Sequence, residues 1–138
     1  MKNFKKLILT PKNTIQDAVK NLDESGMKIV LVTKNNKFIG TITDGDIRRG
    51  ILQGISLKAS IQKILNKNAI VCDSSVSIKE LTNTMITNDI NSIPIIDKNK
   101  RLIDLKFLFE DKPINKNKVL NSMVIMVGGK GKRLMPYT

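Results

Sequence analysis

The sequence predicts an α/β (α+β) protein made of two β-α-β-β-α repeats that pack sheet against sheet. A strand, a turn rich in Lys and Asn and a second strand run over residues 29–42, and the pattern recurs over residues 93–105 at an offset of 64. A helix precedes each hairpin, and a short apolar run, 7–9 or 69–72, precedes each helix. One copy has too little core to be stable alone, so we expect the two copies to share one core.

The two predicted helices begin with the same cap. Thr14 is followed three residues later by Asp17, and Ser77 by Glu80, which is the pattern of a capping box. Gly26 is placed to end the first helix in a left-handed conformation. The residues expected to form the buried faces, by their helical spacing, are Ile15, Ala18, Val19 and Leu22 in the first helix and Ile78, Leu81 and Met85 in the second.

Composition excludes several classes of function. There is no His, which removes Ser-His and Cys-His catalysis and imidazole metal sites. The single Cys72 cannot form an internal disulfide, and its apolar neighbours predict a small buried side chain. No apolar run approaches the roughly 18 residues of a membrane helix, and the apolar trio 7–9 is too short for a signal-peptide core. We therefore expect a cytoplasmic protein without a membrane partner.

The net charge of +12 raises the question of nucleic-acid binding. Most lysines are scattered along the chain, and only the end concentrates them, over residues 112–133. No aromatic stacking platform accompanies that cluster, because Phe107 and Phe109 precede it in an apolar context. A solvated surface is the favoured interpretation, phosphate-bearing small ligands come second, and nucleic acid comes third.

The segment 40–49 carries candidate binding chemistry. A strand should end at Thr43, Asp44 and Gly45 should form a turn, and a helix should begin near Asp46. A helix N-terminus presents unpaired N–H groups and the positive end of a dipole, and both favour phosphate.

The candidate ligand-binding residues of this segment are Thr43, Asp44, Asp46, Arg48 and Arg49. The Thr43 hydroxyl can donate to a phosphate oxygen, and the two carboxylate oxygens of Asp46 can accept from both hydroxyls of a ribose. Arg48 and Arg49 can reach phosphate in bidentate fashion. The alternative is a helix cap in which the carboxylates only satisfy backbone N–H groups, and both roles can hold at once. Calcium-loop spacing does not follow, so no metal site is predicted.

With this motif, the sequence resembles the CBS domain pair, also called the Bateman module, from Phe4 to Glu110. Residues 40–46 match the family pattern of Gly, two β-formers, Ser or Thr, two variable residues and Asp. The resemblance implies two copies packed about a pseudo-twofold axis, clefts for adenosine-containing ligands, and regulation of an attached enzyme or transporter. It makes Thr43 and Asp46 the ligand-gripping pair and AMP, ADP or ATP the expected partner.

The second copy departs from the motif. An offset of 64 puts Asp104, Phe107 and Glu110 where the first copy has its glycine, hydroxyl and carboxylate. Without the glycine and the hydroxyl, that copy should bind phosphate poorly. We therefore expect one nucleotide per chain, in the cleft built around the first copy.

The last residues have a different character. A buried-strand pattern over 123–127 leads into a loop rich in Gly, Lys and Arg. A P-loop would need Gly at Met126 and Ser or Thr at Arg133, and a dinucleotide fingerprint would need Gly at Leu134, so both are excluded. Residues 123–138 instead resemble the opening signature of sugar-1-phosphate nucleotidyltransferases, Gly-Gly-x-Gly-x-Arg-Leu followed by Pro and Thr.

This second resemblance implies that Gly128, Gly129 and Gly131 wrap a nucleoside triphosphate and that Arg133 stabilises the phosphate under attack. It also implies Mg²⁺ as a cofactor of the full-length enzyme, whereas no cofactor is expected for the 138 residues themselves. The downstream lysine, the metal-binding aspartates and the sugar pocket of that family do not occur in them. We therefore expect no complete catalytic site and no transferase activity from these residues alone.

The predicted organisation is a repeat over 1–66, a repeat over 67–112, a linker over 113–122 and the opening of a nucleotidyltransferase domain over 123–138. The predicted function is a regulatory, adenine-nucleotide-binding module of a sugar-1-phosphate nucleotidyltransferase. We expect a homodimer, because the apolar residues Ile47, Ile51 and Leu52 need cover. The alternatives are an interaction module with empty clefts and a basic nucleic-acid-binding protein.

Overall fold

The computed structural model describes residues 4–108, which hold one complete repeat and most of a second. The elements, in chain order, are a 3-10 turn at Phe4–Leu7, β1 (Ile8–Leu9), α1 (Ile15–Ser25), β2 (Ile29–Lys34), β3 (Lys37–Thr43), α2 (Asp44–Leu52), a 3-10 turn at Ile61–Lys63, β4 (Cys72–Asp73), α3 (Ile78–Thr87), β5 (Ser92–Ile96) and β6 (Leu102–Phe107). The helix expected after β6 lies outside the described residues, and so do Glu110 and the glycine-rich tail.

The strands form two three-stranded sheets of the same topology, in the orders β1-β2-β3 and β4-β5-β6. In each sheet the first strand pairs in parallel with the second, and the second pairs antiparallel with the third. A helix provides the crossover between the parallel strands, which is what a parallel pair requires. The predicted α+β class with two repeats about a pseudo-twofold axis is confirmed.

The repeat offset differs from the single value of 64 that the sequence suggested. The two helix caps, Thr14 and Ser77, are 63 residues apart. The third strands follow an offset of 64, since β3 pairs Val32 with Gly40 and β6 pairs Ile95 with Asp104. The extra residue falls in the second hairpin turn, where an insertion is tolerated because no core packing depends on it.

Both capping boxes are present as predicted, and Gly26 ends α1 with a φ of 64°. The predicted helix faces are wrong at one position each. Val19 is 39% exposed and Ile78 is 83% exposed, whereas the other predicted positions are buried. The reason is geometric: the helical period identifies an apolar stripe, but the neighbouring elements decide how much of that stripe they cover.

The two repeats share a core, as the repeat pattern predicted. Leu105 of β6 packs in one cluster with Leu7, Ile29 and Leu31 of the first repeat. The backbone N–H of Phe38 donates to the carbonyl oxygen of Lys100 at 2.8 Å, which ties the two hairpins together. Each repeat also has a helix-facing cluster of its own. The sheets therefore meet face to face, with helices on the outer sides.

Cys72 is half-buried rather than fully buried, and burial raises the pKa of its thiol. A raised pKa keeps the thiol protonated at neutral pH, which fits an unreactive packing role. Among residues 4–108, no helix has the length and apolar content that a bilayer crossing requires.

The capping boxes predict an acid-dependent loss of stability. Hydrogen bonds from the Thr14 backbone and hydroxyl lower the pKa of Asp17, and hydrogen bonds from the Ser77 hydroxyl and backbone lower the pKa of Glu80. A carboxylate with a lowered folded-state pKa stabilises the fold above its unfolded pKa and loses that effect as pH falls through the folded pKa. The urea concentration at the midpoint of unfolding should therefore decrease as the pH is lowered from about 5 to about 3.

The test of this prediction is a double variant, Asp17→Asn combined with Glu80→Gln, which removes both capping carboxylates. That variant should show a shallower acid dependence than a charge-matched variant at Asp23 and Glu24, which lie in α1 outside any capping box. Equal slopes in the two variants would mean that the caps do not carry the effect.

Candidate functional site

A cleft of about 360 Å³ lies between the two repeats. Its first wall comes from the start of β2, the end of β3 and the start of α2. Its second wall comes from the segment before β4 and from the loop between α3 and β5. The lining residues are Lys28, Ile29, Thr41, Thr43, Asp44 and Gly45 on the first wall and Asn66, Ala69, Ile70, Asp89, Ile90, Asn91, Ser92 and Pro94 on the second.

The predicted motif is a helix start, and the helix begins earlier than expected. α2 begins at Asp44 with Thr43 as its N-cap, so Asp44 and Gly45 form the first helical turn rather than a separate turn. The Asp46 carboxylate accepts from the Thr43 backbone N–H and from the Thr43 hydroxyl, both at 2.8 Å. This is a third capping box, with Asp46 at the position that closes it.

Asp46 is held from both sides. One of its carboxylate oxygens takes the two bonds from Thr43, and the other accepts from the Arg49 guanidinium at 2.6 Å. Its side chain is 13% exposed. A carboxylate has about four lone-pair sites, so three donors leave roughly one for a ligand.

The sequence-predicted site residues therefore divide into two groups. Thr43 and Asp44 line the cleft, with Gly45 beside them. Asp46, Arg48 and Arg49 do not line it; both arginines are exposed on α2, and Asp46 is hydrogen-bonded to Thr43, which does line the cleft. Gly128, Gly129, Gly131 and Arg133, the predicted phosphate loop, lie outside the described residues.

The base of the cleft is fixed by a bridge between β3 and the segment that joins the repeats. Thr41 and Asn66 exchange two backbone hydrogen bonds, at 3.1 and 3.0 Å. Gly40 allows this close approach, because a Cβ atom at that position would overlap the Asn66 carbonyl oxygen. The family-pattern glycine thus has a packing reason here: only a residue without a side chain lets the segment reach the strand.

The second wall was missed by sequence reasoning. Asp89, Asn91 and Ser92 lie just before or at the start of β5, and Lys28 lies just before β2. The offset of 63 between the helix caps makes Lys28 equivalent to Asn91. The repeat pattern could therefore have indicated that the residues before each hairpin occupy equivalent places in the fold. To place them in the cleft, one must also know that the residues before the second hairpin face the last strand of the first hairpin.

A second cleft, also of about 360 Å³, is the repeat-related counterpart of the first. At the offset of 63, its Lys6, Leu7 and Met27 correspond to Ala69, Ile70 and Ile90 of the first cleft. Phe107 lines it where the first cleft has Thr43, as predicted from the departure of the second motif. The remaining lining residues are Phe4, Glu24 and Ser25. Its walls thus hold a phenyl ring in place of the capping hydroxyl.

Within residues 4–108, no group of three or more Cys, Asp or Glu side chains is arranged to hold a metal ion. The Asp44 and Asp46 pair therefore has no third acidic partner in the described part of the chain.

Comparison with protein families identifies the fold. The family model for the CBS domain matches residues 4–53 and 61–105, so the chain belongs to the CBS domain family. The two matched stretches are the two repeats described above.

Two curated proteins are similar to part of this chain. An uncharacterized protein of Rickettsia prowazekii is 38% identical over 79 residues, covering 56% of this chain and 24% of the relative. An arabinose 5-phosphate isomerase of Francisella tularensis is 25% identical over 103 residues, covering 71% of this chain and 30% of the relative. The chain thus spans under a third of the length of these relatives.

Among solved structures, the CBS domain protein of Pyrobaculum aerophilum complexed with AMP matches with a TM-score of 0.65 and 16% identity, covering 78% of this chain and 88% of that one. The CBS domain pair of protein MJ0100 in complex with 5′-methylthioadenosine and S-adenosyl-L-methionine matches with a TM-score of 0.64 and 20% identity, covering 73% and 80%. At these identities the likeness is one of fold.

Proposed function

We propose that this chain is a cytoplasmic regulatory module that binds one adenine nucleotide, AMP, ADP or ATP, in the cleft between its repeats. The observation that carries the proposal is the capped N-terminus of α2, with Thr43, Asp44 and Gly45 on one wall of a cleft of about 360 Å³. That volume lies within the range of small-molecule sites, about 300–1,000 Å³. AMP, 5′-methylthioadenosine and S-adenosyl-L-methionine, bound by the structural relatives, all contain adenosine.

The cleft offers suitable partners for each part of a nucleotide. Ala69, Ile70 and Ile90, which are all at least partly exposed, supply apolar surface for a base. The backbone N–H groups of Asp44 and Gly45, at the positive end of the α2 dipole, supply donors for phosphate. The Lys28 ammonium, at the rim of the same cleft, adds a positive charge.

The ribose is the part for which carboxylates are needed. Asp46 does not line the cleft, but its carboxylate lies 2.8 Å from the hydroxyl of Thr43, which does. We propose that its remaining lone pair accepts from a ribose hydroxyl that enters beside Thr43, while Thr43 and Arg49 hold the carboxylate in place. Asp44, exposed at the cleft, is positioned to accept from the other hydroxyl. Arg48 and Arg49 then act at the outer end of the phosphate chain, which their exposed positions on α2 allow.

We also propose that the regulated enzyme is a sugar-1-phosphate nucleotidyltransferase. The support is the sequence signature at Gly128, Gly129, Gly131 and Arg133. With Mg²⁺, the full-length protein should release pyrophosphate from a nucleoside triphosphate and a sugar 1-phosphate, and AMP, ADP or ATP should change the rate. Asp46→Ala should shift that change to a nucleotide concentration about tenfold to a hundredfold higher, the loss of affinity expected for this variant. A full-length protein that releases no pyrophosphate with any pair of substrates would contradict the assignment.

The second candidate function, a dimerisation module, is favoured by the exposed apolar end of α2. Ile51 is 51% exposed and Leu52 is 80% exposed. Ile47, predicted to need cover from a partner, is already buried inside its own repeat. The prediction that Ile47 needs a partner to cover it was wrong. The apolar face of α2 packs on the first sheet, and only the last turn of the helix leaves apolar side chains exposed.

Leu52→Lys should therefore convert a homodimer into a 15.4 kDa monomer, because a charge would be buried in the contact. Sedimentation velocity at high protein concentration measures the change. The matched control is Ile78→Lys, which alters an equally exposed apolar residue on α3. A wild-type protein that sediments only as a monomer would contradict the proposed dimer. If Ile78→Lys gives a monomer and Leu52→Lys does not, the interface lies on α3 and not on α2.

A further inference from the structure

The structure holds a pocket that the nucleotide proposal does not use. It has a volume of about 550 Å³ and lies at the turn ends of the two hairpins. The segment that joins the repeats runs between this pocket and the nucleotide cleft. Four lysines, Lys34, Lys37, Lys67 and Lys100, stand around it, and no acidic residue lines it. We call this feature the lysine pocket.

The four ammonium groups come from three separate parts of the chain. Lys34 and Lys37 flank the first hairpin turn, Lys67 belongs to the segment between the repeats, and Lys100 belongs to the second hairpin turn. The backbone bond from Phe38 to Lys100 brings the two turns together. The charge cluster is thus a product of the tertiary structure rather than a run of lysines along the sequence.

The lysine pocket gathers four exposed positive charges in one place. Lys34 and Lys37 are directly paired across the β2–β3 ladder, and like charges in that position destabilise a hairpin. Among residues 4–108, no ion pair joins an acidic side chain to any of these four lysines.

The floor of the lysine pocket is apolar. Phe38, Leu65, Val71 and Ile96 line it, and each of them is only partly buried. A ligand that matches both features carries at least two negative charges and an apolar portion. The tail of this chain does not match, since residues 109–138 hold six lysines or arginines and two acidic residues, a net charge of +4.

From this geometry we infer that the lysine pocket binds a small molecule with a diphosphate group joined to an apolar body. Lysine ammonium groups on flexible stems suit the several oxygens of a diphosphate, which present no single fork geometry. The pocket is separate from the nucleotide cleft, with Ala69 the one residue that lines both. The inference therefore stands or falls independently of the adenine-nucleotide proposal.

The test is a titration of the ¹⁵N-labelled chain, followed by amide chemical shifts, with inorganic pyrophosphate and with dimethylallyl diphosphate. Both should shift the amides of Lys37, Phe38 and Lys67. Dimethylallyl diphosphate should bind about tenfold tighter, since burying roughly two methylene groups accounts for that factor. Lys34→Gln with Lys37→Gln should weaken both ligands at least about fivefold, the loss of two charge-assisted contacts.

The control is Lys58→Gln with Lys79→Gln, which removes the same charge from exposed positions outside the pocket. It should leave both affinities unchanged, and the spectrum of each variant reports whether it is folded. Absence of shifts at millimolar ligand, equal loss in the control, or shifts confined to Thr43, Asp44 and Gly45 would each overturn the inference. Tighter binding of hexaglutamate than of dimethylallyl diphosphate would also overturn it, by marking a peptide-binding surface.

Discussion

Asp46→Ala should weaken the binding of adenine nucleotides by about tenfold to a hundredfold. The carboxylate fixes both the backbone N–H and the hydroxyl of Thr43 at 2.8 Å, and Thr43 lines the cleft. Its loss would leave a ribose hydroxyl without an acceptor and would free the Thr43 hydroxyl to rotate. Leaving such a partly buried group unpaired costs about 1–3 kcal/mol. Calorimetric titration with AMP, ADP and ATP measures the change.

The chain supplies a matched control for this experiment in α1. Asp17 closes the same type of capping box on Thr14, with its carboxylate 2.8 Å from the Thr14 backbone nitrogen, but Thr14 does not line the cleft whereas Thr43 does. Asp17→Ala should therefore reduce stability to a similar degree and leave nucleotide affinity unchanged. Thr43→Val should weaken binding where Thr14→Val does not. Equal affinities for Asp46→Ala and wild type, or two equal nucleotide sites per chain, would show that the cleft has been wrongly assigned.

Gly40→Ala should lower the free energy of unfolding by about 1–3 kcal/mol, the usual cost of forcing extra atoms into a packed region. The new methyl group would overlap the Asn66 carbonyl oxygen and approach the Leu65 side chain to 2.9 Å. Asn66 cannot retreat without breaking its two backbone bonds to Thr41. Because Asn66 and Thr41 both line the cleft, nucleotide affinity should fall as well. Urea denaturation and calorimetry measure the two effects.

Gly45→Ala is the matched control, since it adds the same methyl group five residues further along the motif. There the nearest atom is on the flexible Arg49 side chain, at 3.2 Å, and the position is helical. Alanine favours a helix over glycine by about 1 kcal/mol, so this variant should be as stable as wild type or more stable. If Gly40→Ala is equally stable, the bridge between Thr41 and Asn66 does not hold the cleft together.

Features that depend on neighbours in sequence could be predicted well. The capping boxes of Thr14 and Ser77 and the left-handed Gly26 follow from contacts within four residues, and all are present. The start of α2 was placed two residues too late, because Asp44 and Gly45 were interpreted as a turn. The Thr43 hydroxyl and the Asp46 carboxylate already specified a capping box there, by the same rule that located the other two.

Features that depend on packing could not be predicted from periodicity alone. The exposure of Val19 and Ile78 is set by where the neighbouring elements end, and a single helical stripe carries no information about that. The second wall of the cleft, with Asp89 and Asn91, requires the sheet-on-sheet arrangement. The binding roles of Thr43, Asp46 and their neighbours stay predictions until a ligand is titrated.

The phenyl ring of Phe107 in the second cleft has a consequence for signalling. If only one cleft per chain takes a nucleotide, a monomer responds to concentration along a simple hyperbola, because cooperativity needs at least two coupled sites. A steeper dependence on nucleotide concentration would need a second hydrophilic cleft or coupling between chains. Simultaneous binding of two different nucleotides by one chain would also need that second cleft. With Phe107 in place of the hydroxyl, a monomer that binds one nucleotide would therefore respond gradually to nucleotide concentration, and a response with a threshold would require two coupled chains.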